Sequence, residues 1–182
     1  MNKPLCLIVS GPSGSGKSTI SRMLWKRLSG NPAYLSLDSI KHFVHGAEST
    51  NHFLDLARIQ AESLTRNYLV AGHSVIVEKA FGSYGFVRPF IEIADSLNVL
   101  SYYFKLRAPL EVLIKRVERR REAPLDKKVE VGEWPFPTGN RETATRIYRF
   151  FERNPHPEGI EIDTSSQSPE ESVKIILNHL SS

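Results

Sequence analysis

Gly11-Pro12-Ser13-Gly14-Ser15-Gly16-Lys17-Ser18-Thr19 follows the apolar run Leu5-Cys6-Leu7-Ile8-Val9 and precedes Ile20-Ser21-Arg22-Met23-Leu24-Trp25, whose apolar residues recur at helical spacing. A strand that enters a glycine-rich turn and leaves it as a helix presents several backbone N–H groups to one chain of phosphates. The glycines reach φ values denied to other residues and leave room for oxygens. In the pattern G-x-x-x-x-G-K-S/T, Lys17 is placed to reach β- and γ-phosphates and Ser18 to offer its hydroxyl to magnesium. Gly11, Ser13, Gly14, Ser15, Gly16, Lys17, Ser18 and Thr19 are therefore the expected nucleotide-binding set, with ATP and Mg2+ as the expected cofactors.

Outward from this loop the chain alternates strand and helix. The first helix is predicted from Gly16 to Leu28, with Gly30 as its stop. Ala33 to Leu37 reads as a strand ending at Asp38. A long helix from Thr50 to Ala71 carries Leu54, Ala57, Ala61, Leu64 and Tyr68 as its inward stripe, and Gly72 closes it. Ser74 to Val77 forms a strand that delivers Glu78. Phe86 to Leu97 is a predicted helix and Val99 to Leu106 a strand. Pro109 then opens a helix from Leu110 to Arg121, anchored by Val112, Leu113 and Val117. Residues 122–139, rich in proline, glycine and charge, read as a mobile segment in which Trp134 and Phe136 supply either an apolar anchor or a cover for a bound ring. Arg141 to Arg153 returns to helix and Gly159 to Asp163 to strand. Ser168-Pro169-Glu170-Glu171 spells a capping box for the last helix. Five short apolar strands alternating with helices imply a parallel sheet covered on both faces.

With 182 residues, 40% hydrophobic and 24% charged, the sequence fits one α/β domain over residues 1–182. Its one cysteine, Cys6, lies mid-strand and reads as a small core residue. No apolar stretch reaches membrane-spanning length and no signal sequence opens the chain, so a cytoplasmic location without membrane contact is expected. The formal charge of +4 is modest. Much of it gathers at Arg116, Arg119, Arg120, Arg121, Lys127 and Lys128, a cluster that phosphate handling itself requires.

In sheets of this kind ligands bind beyond the carboxyl ends of the strands. That rule selects the phosphate loop, Asp38, Glu78, Arg107 and Asp163. A carboxylate at Asp38 accepts the proton of an attacking hydroxyl, or alternatively caps a helical turn begun by Ser39-Ile40-Lys41. Glu78 with Ser18 forms the expected magnesium pair, the alternative being a surface ion pair of Glu78 with Lys79 or with a neighbouring loop. Arg116 and Arg120, four apart, share one helix face, and guanidinium groups suit phosphate oxygens and aromatic rings. His42, His45 and His52 do not have the spacing of a metal-ligand set.

These residues together resemble the small P-loop kinases, the group of polynucleotide 5′-kinases, chloramphenicol phosphotransferase, gluconate kinase and zeta toxins. The resemblance implies a three-layer α/β/α fold with five parallel strands ordered 2-3-1-4-5. It places Asp38 at that group's base position and likens Val77-Glu78 to the Ile-Glu pair of zeta toxins. The run from Pro109 through Arg116 to Arg120 is similar to the lid of adenylate kinases, which implies a lid over about 109–139. In that lid Arg116 would stack on adenine and Arg120 would bind phosphates. Lys17, Asp38 and Arg120 are the implied catalytic residues. One departure stands out: Lys41-His42 occupies the place where the group has an arginine after its aspartate.

The leading expectation is thus an ATP-dependent kinase acting on a hydroxyl of a small-molecule acceptor. A 5′-hydroxyl polynucleotide kinase is the alternative. It is less favoured because Glu48, Asp55 and Glu62 interrupt the basic region of Lys41, His42, Arg58 and Arg66. A regulatory nucleotide-binding protein without a dedicated acceptor is a further alternative, although an Asn-Lys-x-Asp guanine reader is absent from the sequence. The acceptor's identity and the oligomeric state are not legible in the residues.

Overall fold

The computed structural model describes residues 3–46, 51–122, 139–156 and 158–181. Its elements are β1 (Leu5–Ser10), α1 (Lys17–Arg27), β2 (Ala33–Ser36), α2 (Leu37–Lys41), α3 (Asn51–Val70), β3 (Val75–Glu78), a 3₁₀ turn at Tyr84–Phe86, α4 (Arg88–Ser96), β4 (Leu100–Arg107), α5 (Leu110–Glu122), α6 (Arg141–Arg153), β5 (Ile160–Asp163) and α7 (Pro169–Leu180). The strands form one sheet in the order β2-β3-β1-β4-β5, and each neighbouring pair is parallel.

Strand side chains alternate between the two faces, so the central strands feed two cores. Cys6 and Ile8 pack with Val75, Val77 and Tyr103 beneath residues of α2, α3 and α4. Leu7 and Val9 pack with Ile76, Phe104, Leu106 and Ile162 beneath Ile20 and Leu24 of α1 and Val173 and Ile176 of α7. Burial inside the first core, reinforced by the charge of Asp95, pushes the Cys6 thiol up to about 12. A small third cluster, Ile114, Val117 and Ala144, holds α5 to α6. Among the described residues no helix is long and apolar enough to cross a membrane.

Several boundaries depart from the sequence expectation for local reasons. β2 stops at Ser36, because Leu37 and Ile40, three apart, turn inward as one helical face. On α3 the inward row is Ala57, Ala61, Thr65 and Leu69, while Tyr68 is exposed. A threonine tolerates this burial because its hydroxyl donates to the Ala61 carbonyl at 2.7 Å. On α5 Ile114 joins Leu113 and Val117 as a buried anchor, and Val112 is only half-buried. Phe86 lies in the 3₁₀ turn and the following helix starts at Arg88. The expected helix start at Thr50 and the segment bearing Trp134 and Phe136, residues 123–138, lie outside the described residues.

The capping box is present as read. The Ser168 hydroxyl accepts from the Glu171 N–H and the Glu171 carboxylate accepts from the Ser168 N–H. Ser168→Ala removes one acceptor at the start of α7, a helix whose Val173 and Ile176 complete one core. The expected cost is about 1 kcal/mol, a fall in Tm of roughly 2–4 °C, measured by thermal denaturation.

Candidate active site

The phosphate loop is held by close backbone approaches. Gly11 has φ +150°, and a Cβ there would lie 2.4 Å from the Leu106 carbonyl oxygen. Gly14 has φ +86°, and a Cβ there would lie 2.6 Å from the Leu113 carbonyl oxygen. The space these two glycines leave is therefore filled by the end of β4 and the first turn of α5, which corrects the expectation that it is kept for oxygens. Gly16, at φ +91°, caps α1 without any side-chain hydrogen bond. No cap side chain thus competes with an anion for the first-turn N–H groups. Lys17 Nζ donates to the Pro12 carbonyl at 3.1 Å, across the loop.

Parallel registry brings the strand ends together. Glu78 pairs in register with Val9 on one side and Ser36 on the other. Its side chain is only 2% exposed. The Ser18 hydroxyl donates to Oε1 at 3.3 Å and the Tyr34 hydroxyl to Oε2 at 3.1 Å. Burial and the Glu78 carboxylate both push the Tyr34 phenol up, so it keeps its proton and remains a donor. Glu78 is therefore not the surface partner of Lys79. Burial, with the nearby charges of Arg120 and Lys79, depresses the Lys17 ammonium, while Glu78 and Asp38 act in the opposite direction.

Lys79 instead makes an ion pair with Asp38. The cap of α2 is Ser36, so Asp38 sits inside the first turn and is not the capping residue. Its side chain is 50% exposed, and that of Lys79 18%. Burial acts to raise the Asp38 carboxyl, but the ammonium groups of Lys79, Lys17 and Lys41 outweigh it and hold the carboxyl below its ordinary value. Lys41 is itself buried. One carboxylate thus lies in the field of three lysines from three elements: the end of β3, α1 and α2.

On the opposite flank Arg116 reaches across to the exit of β5. Its Nη1 donates to the Thr164 hydroxyl at 3.1 Å and to the Gly14 carbonyl at 3.4 Å, and its Nη2 to the Thr164 carbonyl at 2.5 Å. The Thr164 hydroxyl lies 3.1 Å from both the Ser15 and Arg107 carbonyls and can donate to one of them. Arg120 is exposed, and its charge interacts with Glu78 and Arg22. The two arginines therefore serve different surroundings. Arg107 forms ion pairs with Glu161 and Glu152, and Asp163 accepts from the Ser165 N–H, so both are engaged at the edge of the sheet. Among the described residues no group of three or more His, Cys, Asp or Glu side chains could hold a metal ion.

The structure brings together Lys17, Ser18, Asp38 and Glu78, with Arg120 facing Glu78. Sequence reading missed Tyr34, Lys79 and Thr164 as partners. Tyr34 reads as an ordinary strand aromatic until β2–β3 pairing is known. Lys79 follows a carboxylate directly, which suggested the wrong partner. Thr164 follows Asp163 and carries no local signal of its own.

A family model described as an AAA domain matches residues 6–134. That is more than half of the 182 residues, and the chain belongs to this family, in the form of a P-loop kinase fold. No match was found among curated proteins. Similar solved structures include the APS kinase of Mycobacterium tuberculosis in complex with AMPPNP and APS, at 17% identity and TM-score 0.68, covering 100% of each chain. A gluconokinase from Sinorhizobium meliloti 1021 is 18% identical with TM-score 0.62, covering 100% of this chain and 94% of its own. The tunicamycin resistance protein of Deinococcus radiodurans is 18% identical with TM-score 0.63, over 98% and 96% of the two chains. At these identities the likeness is one of fold.

The Asp38 cluster has a pH signature. A carboxyl lowered in the folded state adds stability above its unfolded value, near 3.8, and that stability is lost as pH falls through the folded value. Asp38→Asn is therefore expected to be less stable than the wild type at pH 7, with the gap closing in strong acid where both side chains are neutral. Denaturant titrations from pH 7 to pH 2 measure this; a gap that is constant with pH would rule out the ion pair as its source.

Proposed function

We propose that this protein is an ATP-dependent phosphotransferase that moves the γ-phosphate of ATP to a hydroxyl of a small-molecule acceptor. One observation carries the reading: the phosphate-loop Ser18 hydroxyl donates to the buried Glu78 carboxylate, beside Lys17 and within one strand spacing of the Asp38 turn. The kinase fold of the similar structures supports it, and one of them holds AMPPNP.

The nucleotide's phosphates would lie on the first-turn N–H groups of α1 and on Lys17. Ser15 adds a buried hydroxyl that has no hydrogen-bond partner among the described residues. The Ser18 hydroxyl and the Glu78 carboxylate fit Mg2+, a hard cation that takes oxygen donors and keeps one or two protein carboxylates beside phosphate oxygens. When bound, magnesium neutralises phosphate charge and orients the transferring group. Asp38 accepts the proton of the acceptor hydroxyl, and Arg120 supplies positive charge to the phosphoryl group in transit. Arg116 presents its planar group at the exit of β5, where its bonds to Thr164 hold it for stacking on adenine.

Asp38→Asn keeps the shape of the side chain but cannot take a proton. It is expected to slow phosphate transfer by about 10²–10⁴-fold with little change in ATP affinity, and normal transfer would move the base elsewhere. Lys17→Ala is expected to remove most transfer while the fold persists; undiminished turnover would sink the phosphate-loop assignment.

The arginines should separate kinetically. Arg120→Ala is expected to lower kcat, since its charge matters most in the transition state. Arg116→Ala is expected to raise KM for ATP and also to lower Tm, because it loses the bonds to Thr164 and Gly14. Steady-state kinetics with a thermal scan decide it, and identical effects of both substitutions would refute the division of roles.

A further inference from the structure

Glu78 has two carboxylate oxygens, and each is met by a different element. Oε1 accepts from the Ser18 hydroxyl of α1 at 3.3 Å, and Oε2 accepts from the Tyr34 hydroxyl of β2 at 3.1 Å. Ser18 and Glu78 are the two groups fitted to magnesium, and Tyr34 reaches that pair through Glu78. Pairing of β2 with β3 sets Tyr34 opposite Ile76 and Ser36 opposite Glu78. With a side-chain period of two, the phenol and the carboxylate therefore share one face of the sheet, a diagonal step apart. The Tyr34 ring is itself held. Its centroid lies 6.3 Å from that of Trp25, within the range of a packed aromatic pair. The Trp25 indole N–H in turn donates to the Pro32 carbonyl at 2.8 Å. Both rings pack against the core beneath α1. The donor on Oε2 is thus fixed by packing on both α1 and β2.

We propose that Tyr34 is a positioning and specificity residue: by holding Oε2 it presents the Glu78 carboxylate through Oε1 alone, which favours Mg2+ over Ca2+. The inference rests on the phosphotransferase reading and deepens it at the same site. The chemistry of the two cations supplies the link. Mg2+ is small, demands near-octahedral geometry and keeps several waters, so one carboxylate oxygen beside phosphate oxygens suits it. Ca2+ is larger, takes roughly six to eight oxygens, and gains from a carboxylate that gives it both. A hydroxyl fixed on Oε2 withholds the second oxygen. Among the described residues no group of three or more His, Cys, Asp or Glu side chains stands ready to make up the difference. Donors that orient a metal's ligand matter: their loss typically lowers metal affinity by about 10–100-fold. Tyr34 acts through Glu78 in this scheme and is not a catalytic residue.

Binding, not turnover, is the readout that tests this. With AMPPNP present, Mg2+ and Ca2+ are titrated into the protein separately, and each affinity is read by calorimetry or from the rise in Tm. The wild type is expected to prefer Mg2+ by a larger factor than AMPPNP does without protein. Tyr34→Phe keeps the ring against Trp25 and removes the donor. Its affinity for Mg2+ is expected to fall roughly 10-fold, while that for Ca2+ holds or rises. Equal losses for the two cations, or no loss for either, would overturn the inference and leave the phosphotransferase reading intact.

A second variant shows whether the effect passes through Glu78. In the Glu78→Gln background, Tyr34→Phe is expected to lower Mg2+ affinity no further, because the carboxylate it positions is gone. A full further loss there would mean that Tyr34 serves the fold or the nucleotide directly, and the assignment would fail. It fails also if the wild type prefers Mg2+ by no more than AMPPNP alone does, and this arm stands even where a variant does not fold. Failure of AMPPNP to bind the wild type at all refutes the kinase reading and this inference with it.

Discussion

A carboxylate removed almost wholly from water must be met by donors or cations, and Glu78 sets that condition at the centre of the sheet's working edge. Tyr34 answers it from β2 and Ser18 from α1. Lys17 and Arg120 add charge. The partners come from three elements, β2, α1 and α5, so the carboxylate is satisfied only when β1, β2 and β3 are in their observed register. A slip of one residue in β3 would turn Glu78 to the other face of the sheet, among Ile40, Ala61 and Phe90. The chemistry of the site and the pairing of its strands are thus one constraint.

The same edge shows why two neighbouring residues, Glu78 and Lys79, do opposite work. Side chains at the end of a strand alternate, so Glu78 turns towards α1 and Lys79 towards α2. The buried carboxylate of Glu78 accepts from two hydroxyls, those of Ser18 and Tyr34. The half-exposed one at Asp38 gathers lysines, which hold its carboxyl below its ordinary value. The two carboxylates are distinguished here by their neighbours rather than by residue type.

Much of this was legible in the residues. Periodicity, the glycine turn and the capping box sufficed for five strands, the phosphate loop and α7, because each depends on contacts within a few positions. Strand order came through resemblance, and the sheet has it. What could not be read depends on distant pairs: Tyr34 with Glu78, 44 positions apart, and Lys79 with Asp38, 41 apart. No periodicity encodes such pairs. The short helix α2 escaped for another reason. Leu37 and Ile40 continue an apolar strand pattern as well as they begin a helical one, and tertiary packing decides between them. Tyr68 was misplaced because Thr65, polar in the sequence, is made burial-compatible by a bond to its own helix.

The two flanks of the site differ in how they are held, and that difference bears on what each can recognise. On the Arg116 side, Thr164, Ser15, Gly14 and Arg107 are joined by short bonds among α5, the phosphate loop, β4 and the β5 exit. Gly14 is also pressed against the Leu113 carbonyl. These bonds tie four elements to one another at a single point. On the Asp38 side the carboxylate stands on a five-residue helix and is held to the sheet through the ion pair with Lys79. A partly exposed pair of this kind contributes little to stability. Breaking it therefore costs the fold little, whereas removing the donors of Glu78 would strand a buried polar group. The Asp38 flank is thus the one whose contacts can be broken at little cost, and the Arg116 flank is the one whose contacts tie the phosphate loop to α5 and the β5 exit.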